Sequence, residues 1–172
     1  KKLAFDRLIG LMILIALSPL MLILAIAVRL DSPGPIFFRQ KRYGFNNQMI
    51  EVLKFRSLYW DQSDITGTQQ VTKTDKRVTR LGRILRKTSL DELPQFFNVL
   101  NNSMSVVGPR PAMAHEVNKY DSIYERRLYA KPGITGPWQI GGRSDLNLEV
   151  SVALDLNYVF NWSFSQDLAI IL

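Results

Sequence analysis

The stretch LIGLMILIALSPLMLILAIAV, Leu8 to Val28, decides the fold class, because it holds no charged residue over 21 positions. An α-helix rises about 1.5 Å per residue, so this run is long enough to cross the hydrocarbon core of a bilayer. The whole chain of 172 residues carries a net charge of +7 and contains no cysteine, which excludes disulfides and thiolate sites. The sequence therefore predicts a membrane anchor, residues 1–30, and one basic domain, residues 31–172.

The topology of the anchor depends on its centre and on the charges beside it. Ser18-Pro19 falls in the middle of the run, where proline removes a backbone hydrogen bond and kinks a helix. Basic residues flank both ends, namely Lys1, Lys2 and Arg7 on one side and Arg29, Arg39, Lys41 and Arg42 on the other. Because cytoplasmic flanks are rich in Lys and Arg, both ends are expected in the cytoplasm. The residues leave open a re-entrant hairpin and a kinked spanning helix, whereas the run is too long for a signal peptide.

Short strands and amphipathic helices are predicted after the anchor. DSPGP, residues 31–35, predicts a turn, and IFFRQ and MIEVLKFRSL predict a β-hairpin. Lys54 and Arg56 share one strand face, which is either an anion site or a solvated strand end. KRVTRLGRILRK predicts a basic amphipathic helix whose cationic arc includes Arg86 and suits phospholipid headgroups, a diphosphate or plain solvent. The fold class is α+β: a small helical domain with a short β-hairpin and amphipathic interface helices.

Two adjacent carboxylates, Asp91 and Glu92, occupy the segment TSLDELPQFFNVL. Ser89-x-x-Glu92 fits a capping box, so helix capping explains one of the acids. A cap at Ser89 would place Pro94 inside the helix, so we expect the helix to begin at Leu90 or Asp91. The helix N-terminus needs only one acid, and the second one asks for another explanation.

Two rigid loops add cations to this acid pair. MSVVGPRP predicts a short strand and then a loop in which prolines restrict the backbone on both sides of Arg110. KPGITGPWQIGGR is a second Gly/Pro-rich loop and contains Trp138 and Arg143. Guanidinium groups held on rigid segments bind phosphate well, so a phosphate pocket explains the pattern better than solvated turns do.

The order of these motifs resembles one known family over nearly the whole chain. The pieces are LSPL, DSPGPIFFRQKRYG, KFRSL, VTRLGRILRKTSLDELPQFFNVL, MSVVGPRP, KPGITGPWQIGGR and YVFNWSFSQDL. They resemble the bacterial sugar transferases, also called monotopic phosphoglycosyl transferases. The resemblance implies transfer of a sugar 1-phosphate from a UDP-sugar to polyprenyl phosphate, usually undecaprenyl phosphate. UMP is released, and the product starts a surface polysaccharide or glycoconjugate at the cytoplasmic face of the bacterial inner membrane.

The resemblance also implies roles for individual residues. Asp91 matches a nucleophile that forms a covalent phosphosugar intermediate, and Glu92 matches its partner at Mg²⁺. Phosphate-holding cations match Arg86 and Arg110, and the remaining residues in substrate-site motifs are Lys54, Arg56, Gln139 and Arg143. Ser18-Pro19 matches the break of a re-entrant membrane helix.

Two positions depart from the family pattern. Asn102-Ser103 stands before Met104 where an acid is often found, and Pro137 replaces a commoner Leu or Trp. GRSDL after WQIG favours UDP-galactose or UDP-glucose as the donor. The residues do not indicate an oligomeric state.

The chemistry is consistent without the family. An ionised Asp needs no base to attack phosphorus, and Mg²⁺ with arginines offsets the repulsion between anions. The alternatives are a non-enzymatic anchor or scaffold that binds anionic membrane lipid, and a conventional glycosyltransferase, whose Asp-x-Asp motif is absent. Nucleic acid is disfavoured as a partner because the anchor ties the basic face to a bilayer. Since the chain begins without Met and stops in DLAIIL, we expect a longer protein at both ends.

Overall fold

The computed structural model describes residues 1–64, 71–72, 74–117, 123–142 and 147–171. Its helices are α1 (Lys2–Asp31), α2 (Arg80–Thr88), α3 (Gln95–Leu100), α4 (Ala114–Val117), α5 (Pro137–Gly141), α6 (Leu148–Phe160) and α7 (Phe164–Ile171). Its strands are β1 (Phe37–Tyr43), β2 (Met49–Phe55), β3 (Ser105–Val107) and β4 (Gly133–Thr135). The predicted α+β class is confirmed.

Helix α1 buries one stripe against the domain and exposes the rest. The buried positions recur every three to seven residues: Asp6, Gly10, Leu14, Met21, Leu24 and Val28. Gly10 lets the helix approach α3, because a Cβ there would lie 3.2 Å from Val99. Most of the apolar surface stays uncovered, and α1 is long and apolar enough to cross a membrane. The sequence prediction of an apolar anchor is consistent with this helix.

Ser18 and Pro19 lie inside α1, although we predicted a break between two helices there. Pro19 has no N–H to donate to the carbonyl oxygen of Ile15, four positions earlier. The Ser18 hydroxyl donates to that oxygen at 2.8 Å and so replaces the missing bond. This side-chain hydrogen bond explains how the helix continues through the proline.

Both ends of α1 are tied to the same domain. Near its start, the Asp6 carboxylate accepts hydrogen bonds from the Ser105 hydroxyl at 2.7 Å and from the Val106 N–H at 3.3 Å. Near its end, the Val28 carbonyl accepts from the Arg56 guanidinium at 3.2 Å. The anchor therefore lies along the domain and is not joined to it through one end alone.

Two small sheets carry the loops of the domain. Strands β1 and β2 form the predicted antiparallel hairpin, in register from Phe37 opposite Phe55 to Tyr43 opposite Met49. Strands β3 and β4 pair in parallel. The sequence predicts β3 but predicts a loop at β4, because GIT is too short to show alternation between its Gly/Pro flanks. A cluster of buried side chains, including Val52, Met104 and Tyr158, packs around β3.

The segment between α2 and α3 differs from the capping-box prediction. Helix α2 begins at Arg80, where the Thr79 side chain caps it by accepting from the Gly82 N–H at 2.9 Å. Ser89 ends this helix in a left-handed conformation, with φ 58°, and its side chain caps no helix. A single 3₁₀ turn, Leu90–Glu92, then precedes α3, which has Pro94 at its N-cap. The helical turn thus begins at Leu90, as expected, but Ser89 ends a helix instead of starting one.

Helices α6 and α7 meet the start of α1 at a buried carboxylate. Asp167 is 1% exposed and accepts hydrogen bonds from the Tyr158 hydroxyl at 2.6 Å and the Trp162 indole N–H at 3.0 Å. The Lys2 ammonium group also contacts it in an ion pair. The C-terminal helices are therefore part of the core that holds the anchor.

Candidate active site

Asp91 lies buried in the 3₁₀ turn, with 6% of its surface exposed. Burial raises the pKa of the Asp91 carboxyl to about 6, although the positive charges of Lys54 and Arg86 oppose the rise. The negative charge of Glu92 adds to it. At pH 7 the carboxylate is still the main form, but it is poorly solvated. Burial thus moves the pKa of Asp91 well above the ordinary value of 3.8.

Glu92, the second acid, pairs with a cation on the neighbouring strand. The Lys54 ammonium group lies 2.6 Å from a Glu92 carboxylate oxygen. Lys54 comes from β2 and Glu92 from the 3₁₀ turn, so the pair joins the two elements that flank the acids. Both side chains are partly exposed, so the pair contributes little to stability and stays accessible to a ligand.

Arg110 enters the same cleft from the Gly-Pro-Arg-Pro loop. Its guanidinium stacks 4.9 Å from the centre of the Trp138 ring and lies 2.9 Å from a carboxylate oxygen of Glu116. Stacking and ion pairing together restrict the orientation of the guanidinium plane. Trp138 of the second Gly/Pro-rich loop is thus placed against an arginine of the protein.

The backbone of Arg110 is held by a buried ion pair. Asp155 accepts from the Arg110 N–H at 3.3 Å, and Arg127 donates to the Arg110 carbonyl at 3.3 Å. Asp155 and Arg127 contact each other and are almost fully buried. Burial raises the pKa of the Asp155 carboxyl even though Arg127 opposes the shift. This pair stabilises the loop position on both sides of Arg110.

A cleft of about 80 Å³ brings four of the predicted residues together. They are Lys54, Glu92, Arg110 and Gln139. A larger cavity of about 320 Å³ lies beside Lys2 and Tyr158, but its lining includes neither acid of the pair. The smaller cleft is therefore the candidate active site, because it has the chemical groups that a phosphate reaction needs.

Gln139 offers the cleft a hydrogen-bond acceptor. Its amide nitrogen donates to the Ile134 carbonyl at 3.3 Å, which orients the side chain. The amide oxygen is buried and has no partner among the residues that the structure describes. A buried acceptor without a partner is costly, so this oxygen is an unsatisfied polar group in the wall of the cleft.

Three predicted residues lie elsewhere. Arg56 is 2% exposed, and its guanidinium donates to the carbonyls of Val28, Ser32 and Pro33, which gives it a structural role at the end of α1. Arg86 is exposed on α2 and reaches Asp91 only through its charge. Arg143 lies outside the described residues.

Sequence reasoning missed Asn98, which joins α3 to β2 next to the cleft residue Lys54. The Asn98 amide accepts from the Leu53 N–H at 3.0 Å and donates to the Glu51 carbonyl at 2.7 Å. It thereby binds α3 to the edge of β2 like an extra strand. A single amide on the apolar side of FFNVL was the only signal in the sequence.

The acid pair also fits a divalent cation. The described residues contain no group of three or more His, Cys, Asp and Glu side chains that could hold a metal by itself. Mg²⁺ commonly uses one or two carboxylates together with substrate phosphates. Asp91 and Glu92 supply such a set, and a buried carboxylate with a raised pKa is stabilised by a cation. The Ser103 hydroxyl, in contrast, bonds Asn101 at 2.7 Å within a turn.

Sequence comparison identifies the family. The model of a family described as "Bacterial sugar transferase" matches residues 1–172. The chain belongs to the bacterial sugar transferase family.

Three relatives in this family illustrate the similarity. The chain is 46% identical to undecaprenyl-phosphate glucose phosphotransferase of Komagataeibacter xylinus, over 99% of this chain and 34% of the relative. It is 39% identical to undecaprenyl-phosphate galactose phosphotransferase of Salmonella typhimurium, over 99% of this chain and 38% of the relative. It is 41% identical to exopolysaccharide production protein ExoY of Sinorhizobium fredii, over 99% of this chain and 81% of the relative. The chain thus spans about a third of the two named phosphotransferases and most of the third relative.

Proposed function

We propose that the protein is a membrane-anchored enzyme that transfers a sugar 1-phosphate from a UDP-sugar to undecaprenyl phosphate and releases UMP. The observation that carries this proposal is a buried carboxylate, Asp91, next in the chain to Glu92, which lines a cleft together with Lys54 and Arg110. A nucleophile, an acidic partner and two cations are the groups that phosphoryl transfer requires. The names of the similar proteins support the same reaction class and a role in polysaccharide synthesis.

The reaction proceeds in two displacements at one phosphorus atom. In the first, a carboxylate oxygen of Asp91 forms a bond to the phosphorus that bears the sugar. The bond from that phosphorus to UMP breaks, and UMP leaves with the electron pair. In the second, a phosphate oxygen of undecaprenyl phosphate attacks the same phosphorus, and the Asp91 carboxylate departs. Since the pKa of Asp91 is about 6, it needs no general base at pH 7.

Cations of the cleft offset the negative charge that builds up in both displacements. Arg110 is pre-oriented by Trp138 and Glu116, so it loses little freedom when it binds phosphate. Lys54 shares its charge between Glu92 and an entering anion. Asp91 and Glu92 would hold Mg²⁺, which supplies further shielding of the phosphate charge when bound.

The donor is UDP-glucose or UDP-galactose. The phosphotransferases of Komagataeibacter xylinus and Salmonella typhimurium carry glucose and galactose in their names, respectively. The free amide oxygen of Gln139 provides an acceptor for a donor hydroxyl or for an N–H of the base.

The deciding experiment measures UMP release from a panel of UDP-sugars with undecaprenyl phosphate and Mg²⁺. We expect release with one hexose donor, and we expect Asp91→Asn to abolish it. Radiolabelled sugar should remain on the wild-type protein when the lipid acceptor is withheld. Release of UDP would indicate a conventional glycosyltransferase. Salt-sensitive liposome binding without any nucleotide release would indicate a lipid-binding scaffold.

The anchor places both of its ends on the cytoplasmic face. This proposal is supported by the contacts of Asp6 and Val28 with one domain, since a folded domain cannot lie on both sides of a bilayer. The chain has no cysteine, so single cysteines at Leu3 and Leu30, which are both exposed, can be labelled without background. An impermeant maleimide should label both positions from the cytoplasmic side only. Labelling from opposite sides would refute the same-side topology.

A further inference from the structure

Arg42 is a buried arginine in the wall of the candidate active site. It lies on β1, is 9% exposed, and lines the same cleft as Arg110 and Lys54. One of its terminal nitrogens donates to the Gln40 side-chain oxygen at 2.7 Å, and the other donates to the Pro111 carbonyl at 3.3 Å. Sequence reasoning had counted Arg42 only as one of the charges that follow the anchor.

The hydrogen-bond partners of Arg42 are neutral, although carboxylates lie nearby. Glu116 forms its ion pair with Arg110, and Glu92 forms its ion pair with Lys54. Arg42 takes part in none of the ion pairs found among the described residues. Burial and the nearby charge of Arg110 lower the pKa of Arg42 to about 10, so it remains a cation at neutral pH. A buried cation without its own carboxylate is costly to maintain.

Arg42 and Arg110 are held at neighbouring positions by the fold. Tyr43, the next residue on β1, exchanges backbone hydrogen bonds with Ala112 at 2.9 and 3.1 Å. This bridge fixes β1 against the Gly-Pro-Arg-Pro loop, and the Arg42 bond to Pro111 reinforces it. Two like charges on rigid backbones repel each other unless an anion lies between them. The Glu116 carboxylate pairs with Arg110 and also acts on Arg42, so the two arginines share one carboxylate and keep a positive charge that a phosphate ligand can offset.

We propose that Arg42 binds the diphosphate of the nucleotide substrate, together with Arg110. The inference rests on the proposed function for the identity of the ligand and adds a binding residue to that site. The planar guanidinium can donate two parallel hydrogen bonds to phosphate oxygens, which an ammonium group cannot do. Gln40 and Pro111 orient the group within the cleft wall.

The test compares nucleotide binding by variants of the full chain in detergent. Arg42→Gln should weaken the binding of UDP by about tenfold to a hundredfold, because it removes charge-assisted hydrogen bonds. The affinity for uridine should stay unchanged, since uridine has no phosphate. Arg42→Lys keeps the charge but cannot donate two parallel hydrogen bonds, so it should give an intermediate loss of affinity for UDP. Arg39→Gln is the matched control, because Arg39 lies on the same strand with a side chain 69% exposed.

Equal UDP affinity for wild type and Arg42→Gln would overturn the inference. Equal losses for UDP and uridine would overturn it too, because they would indicate a structural role. Thermal unfolding of each variant shows whether it is folded. If Arg42→Gln does not fold, the comparison of UDP and uridine binding uses Arg42→Lys. The proposed function is tested separately by UMP release from the wild type. A wild type that binds UDP through Arg42 but releases no UMP would refute the function and keep the binding residue.

Discussion

Asp91 is held in a place that disfavours its own charge. The 3₁₀ turn after Ser89 buries the carboxyl, and the charges of Lys54, Glu92 and Arg86 act on it. A free Asp on a surface loop would be better solvated and a poorer nucleophile toward phosphorus. Under the proposed function, the burial that destabilises the charged carboxylate also makes Asp91 a stronger nucleophile.

Replacing Asp91 by Asn should stabilise the fold at pH 7 while it removes transfer activity. Burial raises the folded-state pKa to about 6, above the ordinary value of 3.8. The ionised carboxylate is therefore a burden of roughly 1–3 kcal/mol above pH 6, and the burden shrinks as the pH falls from about 6 toward 4. Thermal unfolding without Mg²⁺ should show a higher melting temperature for Asp91→Asn at pH 7 and a smaller difference at pH 4.5.

An equal or lower melting temperature for Asp91→Asn at pH 7 would contradict the claim that the ionised Asp91 carboxylate destabilises the fold. Asp61→Asn is the control, because Asp61 is exposed and lies outside the cleft.

The order of the motifs predicts which residues belong to the site. The alternation of side chains along a strand does not. The motifs selected Lys54, Glu92, Arg110 and Gln139, which the cleft brings together. Arg56 shares the strand face of Lys54 by pattern, yet it bonds three carbonyls at the end of α1 instead. Periodicity predicts which face of a strand a side chain lies on, but it does not predict which element packs against that face. The role of Arg56 therefore depends on the tertiary structure.

At the scale of elements, α1 shows how a helix continues through a proline. The Ile15 carbonyl loses its backbone donor at Pro19 and gains the Ser18 hydroxyl. In a bilayer no water replaces a missing donor, so this hydrogen bond matters more there than in a soluble helix. The family resemblance implies a break at Ser18-Pro19, and the residues alone also allow a kinked helix; in the structure the helix runs through both positions.

A mutant cycle on this pair separates the two contributions. Ser18→Ala should lower stability by about 1 kcal/mol, because the Ile15 carbonyl is then without a partner. In a Pro19→Ala background the same substitution should have almost no effect, since the backbone N–H restored at that position can bond the carbonyl. Unfolding of the reconstituted protein measures the four stabilities, and Ser18→Thr, which keeps the hydroxyl, is the control. Equal losses in both backgrounds would show that the hydroxyl does not compensate for the proline.

The turn before α3 shows why the capping-box prediction was wrong. Ser89 and Glu92 have the right spacing, but α2 extends to Thr88 and leaves Ser89 as its left-handed terminus. The chain must reverse at this point to bring Glu92 to Lys54 on β2. Local sequence cannot express that requirement, because the partner lies 38 positions away.

At the scale of the whole molecule, the C-terminal helices secure the start of the anchor. Asp167 of α7 accepts hydrogen bonds from Tyr158 and Trp162 and pairs with Lys2 of α1. The sequence predicted amphipathic helices here without a partner for them. Contacts between residues more than 150 positions apart are not visible in one sequence.

Breaking the Lys2–Asp167 pair should loosen the anchor from the domain. Asp167→Asn and Lys2→Gln should each lower the free energy of unfolding by roughly 1–3 kcal/mol, because each leaves a half-satisfied group. The double variant should lose less than the sum, since the two residues share one interaction. Thermal unfolding measures the cycle, and exposed Lys1→Gln is the control. Fully additive losses would mean that the pair does not couple the two ends.

Strand β2 joins two tasks that are usually kept apart. Phe55 packs in the cluster formed with Leu24 and Val28 of the anchor, while its neighbour Lys54 lines the cleft and holds Glu92. Under the proposed function, a shift of α1 in the bilayer would reach Lys54 in the cleft through Phe55, its neighbour in the chain. Bilayers differ in hydrocarbon thickness, and a helix responds to that difference by tilting or shifting. Under the proposed function, we therefore expect transfer activity to vary with the thickness of the bilayer.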